Sequence, residues 1–338
     1  MTNWGIIGHT ATVNYLRRSL ENGRGAHAYL FAGPARIGKA LLALRLAQRL
    51  VCERGGADPC LECRACKRVA NGNHPDVRSI SLQTQHAAAK ADAAPSKELK
   101  IDTVRDWQRD IDLRPFEAPR RVFILDDAQA LTDQASNALL KTLEEPPSYA
   151  VLILIAHGSG DLLPTIVSRC RTVRLGPLPR ATVAAALRER NIAAEDADLV
   201  AAWSDGRIGW ALDAVSHPDV LEHQQQRLET LMQLGAASRV ERMRWAEERA
   251  KEYRSDAAAA LDWLQLWQSW WRDVLLLQSN NGALITHLDR QGEVQDVAKA
   301  TALPDVQQFL RTLGAASTQL ADNVNPQLVF EHVVLHVP

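Results

Sequence analysis

The sequence predicts an α/β protein whose first half is a five-stranded parallel sheet covered by helices and whose second half is all-helical. Three observations point there. Short, continuously apolar runs alternate with helical stripes as far as about residue 175. A glycine-rich loop ending in lysine lies between the first run and the first stripe. Beyond Pro177 the strand signal stops.

The first strand is the run 27–32, His-Ala-Tyr-Leu-Phe-Ala, closed by Gly33-Pro34. Residues 39–50 read as a helix, because Leu42, Leu46 and Leu50 recur every four residues with Ala43 and Ala47 beside them. A cysteine-bearing segment follows, then a second strand over 77–80. Residues 83–98 have no usable periodicity and read as a surface loop. Asp102 is placed to cap a helix reaching Asp112. Residues 121–125 form a buried strand closed by Asp126-Asp127. A helix over 134–143 ends where Pro146-Pro147 forbid continuation. Residues 150–156 are another buried strand, and 172–175 a fifth. Unbroken apolar strands alternating with helices imply a parallel sheet buried on both faces. Short helices follow over 181–190, 196–203 and 208–215. From about Val220 the pattern is helical throughout, with breaks near Gly235, Asn281-Gly282, Pro304 and Pro326. The expected organisation is a module over 1–176 with a cysteine excursion at 52–66, a small helical part over 177–216, and a helical domain over 217–338. A chain of 338 residues suits two or three domains at about 150 residues each.

Hydrophobic residues make up 46% and charged residues 23%, as in an ordinary folded protein. Lys and Arg total 39 against 40 acidic residues, a formal net charge of -1. Proteins that mainly coat nucleic acid are usually strongly basic, so that class is disfavoured, although a local basic face is not. The N-terminus has no basic stretch followed by an apolar one. The longest apolar run, 150–156, is far short of the about 20 residues that span a bilayer. These features lead us to expect no membrane partner and a cytoplasmic, reducing location. There, clustered cysteines bind metal more often than they form disulfides.

Gly33-Pro-Ala-Arg-Ile-Gly38-Lys39 fits the phosphate-loop pattern, with strand before and helix after. Gly33 and Gly38 allow a tight backbone whose N–H groups face phosphate oxygens, and Lys39 reaches the terminal phosphates. Position 40, however, is Ala where a Ser or Thr hydroxyl would bind Mg²⁺. Asp126 is the candidate Mg²⁺-binding acid at the end of the third strand. Asp127 stands where a Glu usually orients the attacking water, one methylene shorter. Two weakened positions predict a site that hydrolyses ATP poorly or not at all, and they weaken the case for ATP and Mg²⁺ binding in this chain.

Four of the five cysteines fall close together: Cys52, Cys60, Cys63 and Cys66. The two overlapping C-x-x-C units deliver pairs of thiolates with the geometry that structural Zn²⁺ wants. Free thiols or a redox pair are the alternative. Arg64, Lys67 and Arg68 beside them read either as a solvated basic face or as part of a nucleic-acid-binding zinc ribbon. Trp263, Trp267, Trp270 and Trp271 form one helical stripe, which suits either a bundle core or a subunit contact. Arg169, within Leu163-Pro-Thr-Ile-Val-Ser-Arg-Cys170, is by itself a surface arginine, and Cys170 a small core residue.

Taken together, the chain resembles the delta-prime family of bacterial DNA polymerase III clamp-loader subunits, within the AAA+ superfamily. The resemblance is carried by Trp4-Gly-Ile-Ile-Gly8, by 27–33, the four cysteines, Asn73-His-Pro-Asp76 and Lys100-Ile-Asp-Thr-Val-Arg105. It is extended by 123–128, Asn137-Ala-Leu-Leu-Lys-Thr-Leu-Glu-Glu-Pro-Pro147 and 163–170. It is strong over the first 175 residues, weaker through Gly206-Arg-Ile-Gly-Trp-Ala-Leu212, and beyond 217 rests on helical character alone. It implies an AAA+ module with a zinc-binding insertion, a helical lid and a collar that builds a heteropentamer with gamma/tau and delta subunits. Through that complex it implies contact with the sliding clamp and primer-template DNA. It also implies that Arg169 is an arginine finger given in trans to ATP on a gamma/tau subunit. The departures are Ala40, Asp127, Gly209 where the lid of hydrolysing relatives carries arginine, and Ala156 where a polar sensor is usual. Lys39 is retained where some family members have lost it, which leaves nucleotide binding open. Two other readings stand beside this one: an active ATPase using Lys39 and Asp126, and a zinc-ribbon module on an inactive scaffold.

Overall fold

The computed structural model describes residues 3–88, 96–322 and 324–338. The chain forms two compact units, one of Met1–Ala186 with Gly206–Trp210, the other of Leu187–Asp205 with Ala211–Pro338. The expected lid, 177–216, is thus divided between them.

In the first unit, α1 (Thr10–Glu21), β1 (Ala28–Ala32) and α2 (Lys39–Val51) are followed by α3 (Arg64–Ala70), β2 (Val77–Ile80) and α4 (Leu82–Ala88). Next come α5 (Ile101–Ile111), β3 (Arg121–Leu125), α6 (Asp133–Glu144), β4 (Ala150–Ala156), α7 (Pro164–Val167), β5 (Arg171–Arg174) and α8 (Arg180–Arg188). The five strands pair in the order β2-β3-β4-β1-β5, all parallel. This is the five-stranded parallel sheet that the sequence predicts. Every residue of β1 and β4 is buried, which explains their unbroken apolar runs. Alternate side chains serve opposite cores. Tyr29, Phe31, Val122 and Ile153 meet Leu42 and Leu46 of α2 on one face. Leu30, Phe123 and Leu152 meet Trp107 of α5 and Leu139 of α6 on the other. There the Trp107 ring stands edge-on to Phe123 at 5.4 Å. Burying one such side chain stabilises by about 1.5–3 kcal/mol.

Two expectations need correction. Part of the segment read as loop is helical: α4 has no apolar stripe and is held by polar contacts instead. Gln85 donates from Nε2 to the Glu98 carbonyl at 2.8 Å and accepts from the Lys100 N–H at 3.0 Å. Residues 89–95 of that segment lie outside the described residues. The cap of α5 is Lys100, and Asp102 sits inside the first turn.

In the second unit lie α9 (Ala194–Trp203), the rest of α10 (Ile208–Ser216), α11 (Asp219–Ala236) and α12 (Arg239–Ser255). They are followed by α13 (Ala257–Gln278), α14 (Gln291–Ala300), α15 (Leu303–Ala321) and α16 (Pro326–Leu335). The tryptophan stripe of α13 is core: Trp263, Trp267, Trp270 and Trp271 are each 7% exposed or less. Trp267 and Trp271 lie edge-on to Phe309 at 5.2 and 5.4 Å, and Trp245 of α12 meets Trp263 and Trp267 at 5.8 Å. Among the described residues no helix is long and apolar enough to cross a membrane.

Candidate functional site

The phosphate loop joins β1 to α2 at the carboxyl edge of the sheet. Gly33 is fixed there by packing: a Cβ at this position would lie 2.2 Å from the Leu175 carbonyl oxygen. Gly38 caps α2 with φ of 104°, a region that side chains disfavour. Lys39 is 7% exposed and turns back on its own loop. Its Nζ donates to the carbonyls of Gly33 and Pro34, both at 2.6 Å. Burial pushes the Lys39 ammonium below its ordinary range, against the pull of Asp126 and Asp127. Burial also raises Asp126, which the Asp127 N–H and Lys39 only partly offset. The Asp127 carboxylate accepts from the Leu82 N–H at 3.3 Å, at the start of α4.

Gly209 reaches the same loop. Its N–H donates to the Arg36 carbonyl at 2.7 Å, and a Cβ there would lie 2.6 Å from that oxygen. Glycine therefore lets the Gly206–Trp210 segment close directly on the loop. Ala156 is the last residue of β4 and 1% exposed; the first polar residue beyond it is the exposed His157.

Arg169 follows the short helix α7 and is differently placed. Its side chain is 34% exposed, with Nη2 2.5 Å from Glu144 Oε1 and Nη1 2.9 Å from the Thr165 carbonyl. Glu144 ends α6, inside the Glu144-Glu145-Pro146-Pro147 segment. Cys170 beside it packs against the core, and burial pushes its thiol up to about 12.

The four clustered cysteines come together at the other end of α2. Their Sγ atoms all lie within 4.8 Å of one another, and Cys60 and Cys66 are 3.9 Å apart. Thiolates held about 2.3 Å from one tetrahedral metal sit about 3.8 Å apart, so the set fits. Cys63 caps α3, and Cys66 is in its first turn. The N–H of Cys63 donates to Cys60 Sγ at 3.3 Å, and that of Cys66 to Cys63 Sγ at 3.4 Å. Burial pushes Cys60 up, but the N–H groups of Cys63 and Glu62 and the neighbouring thiols outweigh it and hold it at about 6. Burial and the adjacent thiols push Cys66 up. Packed thiolates repel, and a cation at their centre is what permits all four to ionise. The cluster can hold a metal ion. Of the basic residues beside it, Arg68 is engaged with Glu117 at 2.6 Å, while Arg64 and Lys67 are exposed.

A family model described as "DNA polymerase III, delta subunit" matches residues 8–179, and one described as "DNA polymerase III, delta subunit, C terminal" matches 222–337. The chain belongs to the DNA polymerase III delta subunit family. The DNA polymerase III subunit delta' of Bacillus subtilis is 29% identical over 323 residues, covering 95% of this chain and 93% of its own. That of Pseudomonas aeruginosa is 40% identical over 176 residues, 52% of this chain and 50% of its own. The Bacillus subtilis tau subunit is 34% identical over 167 residues, 49% of this chain but 27% of its own. The match to the Bacillus subtilis delta' subunit runs nearly end to end, and this member of the family is of the delta' type.

One buried feature of this delta'-type chain was visible in sequence only as the Asn73–Asp76 segment. Asp76, 1% exposed, accepts from the N–H groups of Phe116 at 2.6 Å and of Glu117 and Ala118 at 2.9 Å. Burial pushes its carboxyl up, and those donors more than reverse the effect. The carboxylate thereby fixes the turn between α5 and β3.

Proposed function

We propose that this delta'-type chain is a subunit of a sliding-clamp loader that does not hydrolyse ATP itself and places Arg169 against ATP held by a neighbouring gamma/tau subunit. The observation that carries this reading is a contrast within one module. The phosphate loop is closed on itself by Lys39 and Gly209 and lacks a hydroxyl at Ala40, whereas Arg169 stands part-exposed on an ordinary surface ion pair. Such pairs contribute about 0.2–1 kcal/mol, so Glu144 releases the guanidinium easily. An arginine brought to a transferring phosphoryl group stabilises its developing charge and raises the rate by about 10³–10⁵. Gly33, Gly38, Lys39, Asp126 and Asp127 are then a degenerate nucleotide site serving mainly as architecture.

The partners in this reading are gamma/tau and delta subunits in a heteropentamer, acting in the cytoplasm on the sliding clamp and primer-template DNA. Residues 1–176 supply the AAA+ module, 177–216 the lid and 217–338 the collar. Cys52, Cys60, Cys63 and Cys66 hold one structural Zn²⁺, which supplies folding energy to the short excursion between α2 and α3 and takes no part in chemistry. Native mass spectrometry should find one zinc per chain, and chelation should lower the melting temperature. A chain that is metal-free as isolated and has four titratable thiols would contradict the zinc assignment.

Reconstitution tests the main reading. A complex assembled with ATPase and delta-type partners should load clamps onto primed DNA only when this chain is present, and the chain alone should not turn over ATP. Turnover by the isolated chain, abolished by Lys39→Ala, would favour an active ATPase instead.

A further inference from the structure

The first unit carries a basic groove that the nucleotide site and the thiol cluster do not use. It lies between the carboxyl half of α1 and the edge strand β5 and has a volume of about 710 Å³. Arg18, Arg24 and Arg171 line it, with Tyr15, Asn14 and Asn22, and no carboxylate does. Arg171 is held beside Tyr15, its guanidinium 5.4 Å from the ring centroid and hydrogen-bonded to the Tyr15 hydroxyl. The neighbouring Arg17 is engaged with Asp58 at 2.7 Å. Arg18 and Arg24 are both exposed, and among the described residues neither side chain has an ion-pair partner. Three guanidiniums around one concavity repel each other, and an anionic occupant relieves that repulsion.

We infer that this groove binds the phosphate backbone of nucleic acid. Charge complementarity calls for a polyanion. The side-chain amides of Asn14 and Asn22 are donors of the kind that join arginine on phosphates. The Tyr15 ring adds an aromatic surface of the sort on which exposed bases stack. The choice of DNA over another polyanion rests on the clamp-loader reading. The net charge of -1 makes the contact one part of a larger footprint shared with partner subunits.

The test measures the affinity of the reconstituted complex for fluorescent primer-template DNA between about 50 and 200 mM salt. Each lost phosphate contact flattens the log–log salt slope by about 0.7–0.9, so R18E/R24E/R171E should flatten it by at least two. Arg-to-Lys changes at the same positions should keep the slope, and R64E/K67E should leave it unchanged. An unchanged slope with R18E/R24E/R171E in an intact complex overturns the proposal. So does a folded triple variant that no longer assembles, which makes the groove a protein contact, and so does tighter competition by polyglutamate than by DNA. If the triple variant fails to fold, Arg24→Ala in its exposed loop decides: a slope lowered by about 0.7–0.9 supports the site, and no change removes it. Failure of the unaltered chain to assemble with its partners would sink the clamp-loader reading instead.

Discussion

The phosphate loop and the Arg169 turn lie in the same module, yet one is closed and the other open. Around the loop, Lys39 is folded onto the carbonyls of Gly33 and Pro34, and Gly209 rests on the Arg36 carbonyl. At the turn, Arg169 has, among the described residues, only the exposed Glu144 and local oxygens as partners. The difference reflects how many groups each task needs. Hydrolysis requires a hydroxyl, a metal-binding acid, a water-orienting acid, a sensor and a lid arginine to converge, and losing any of them blunts the site. Assistance in trans needs one guanidinium that can reach out. A subunit can therefore lose the first function while keeping the second and the fold that carries both.

Three substitutions test that contrast. The largest effect on stability is expected from Gly33→Ala. Its Cβ would sit 2.2 Å from the Leu175 carbonyl, so urea denaturation without nucleotide should show a loss of about 3 kcal/mol. A neutral result would mean that this glycine is kept for phosphate and not for packing. Gly209→Arg, which restores the lid arginine, should cost about 1–3 kcal/mol by forcing the segment off Arg36. It should bring no ATP turnover to the isolated chain, and hydrolysis gained there would show a loop only one residue from activity. Ala40→Ser should shift stability by less than about 0.5 kcal/mol and leave the isolated chain inert, since Gly209 and Ala156 remain.

Much of this was legible beforehand, for identifiable reasons. Strands buried on both faces announce themselves as apolar runs, so β1, β3 and β4 stood out. Cysteines at short spacing can meet without help from distant chain, so the cluster could be read locally. Other features depend on partners far away in sequence. α4 lacks an apolar stripe and is held by Gln85 on Glu98 and Lys100, so no periodicity betrayed it. Gly209 counted as a missing arginine, but its close approach to Arg36 exists only in three dimensions. The groove needs Arg171 of β5 beside Arg18 and Arg24 around the end of α1, and no spacing rule links them. The tryptophan stripe allows two readings in sequence, and the packing of Phe309 and Trp245 on it makes it core.

In the proposed function this chain acts on ATP through Arg169 and not through its own loop. The most direct measurement compares two complexes, one carrying Lys39→Ala and one Arg169→Ala, by rapid-quench ATP hydrolysis with clamp and primed DNA present. Each variant is first checked for assembly. Lys39→Ala should leave the burst and steady-state rates within about twofold, while Arg169→Ala should slow hydrolysis at the adjoining site by about 10³-fold or more. Equal rates for Arg169→Ala and the unaltered complex, or a collapse with Lys39→Ala, would contradict it.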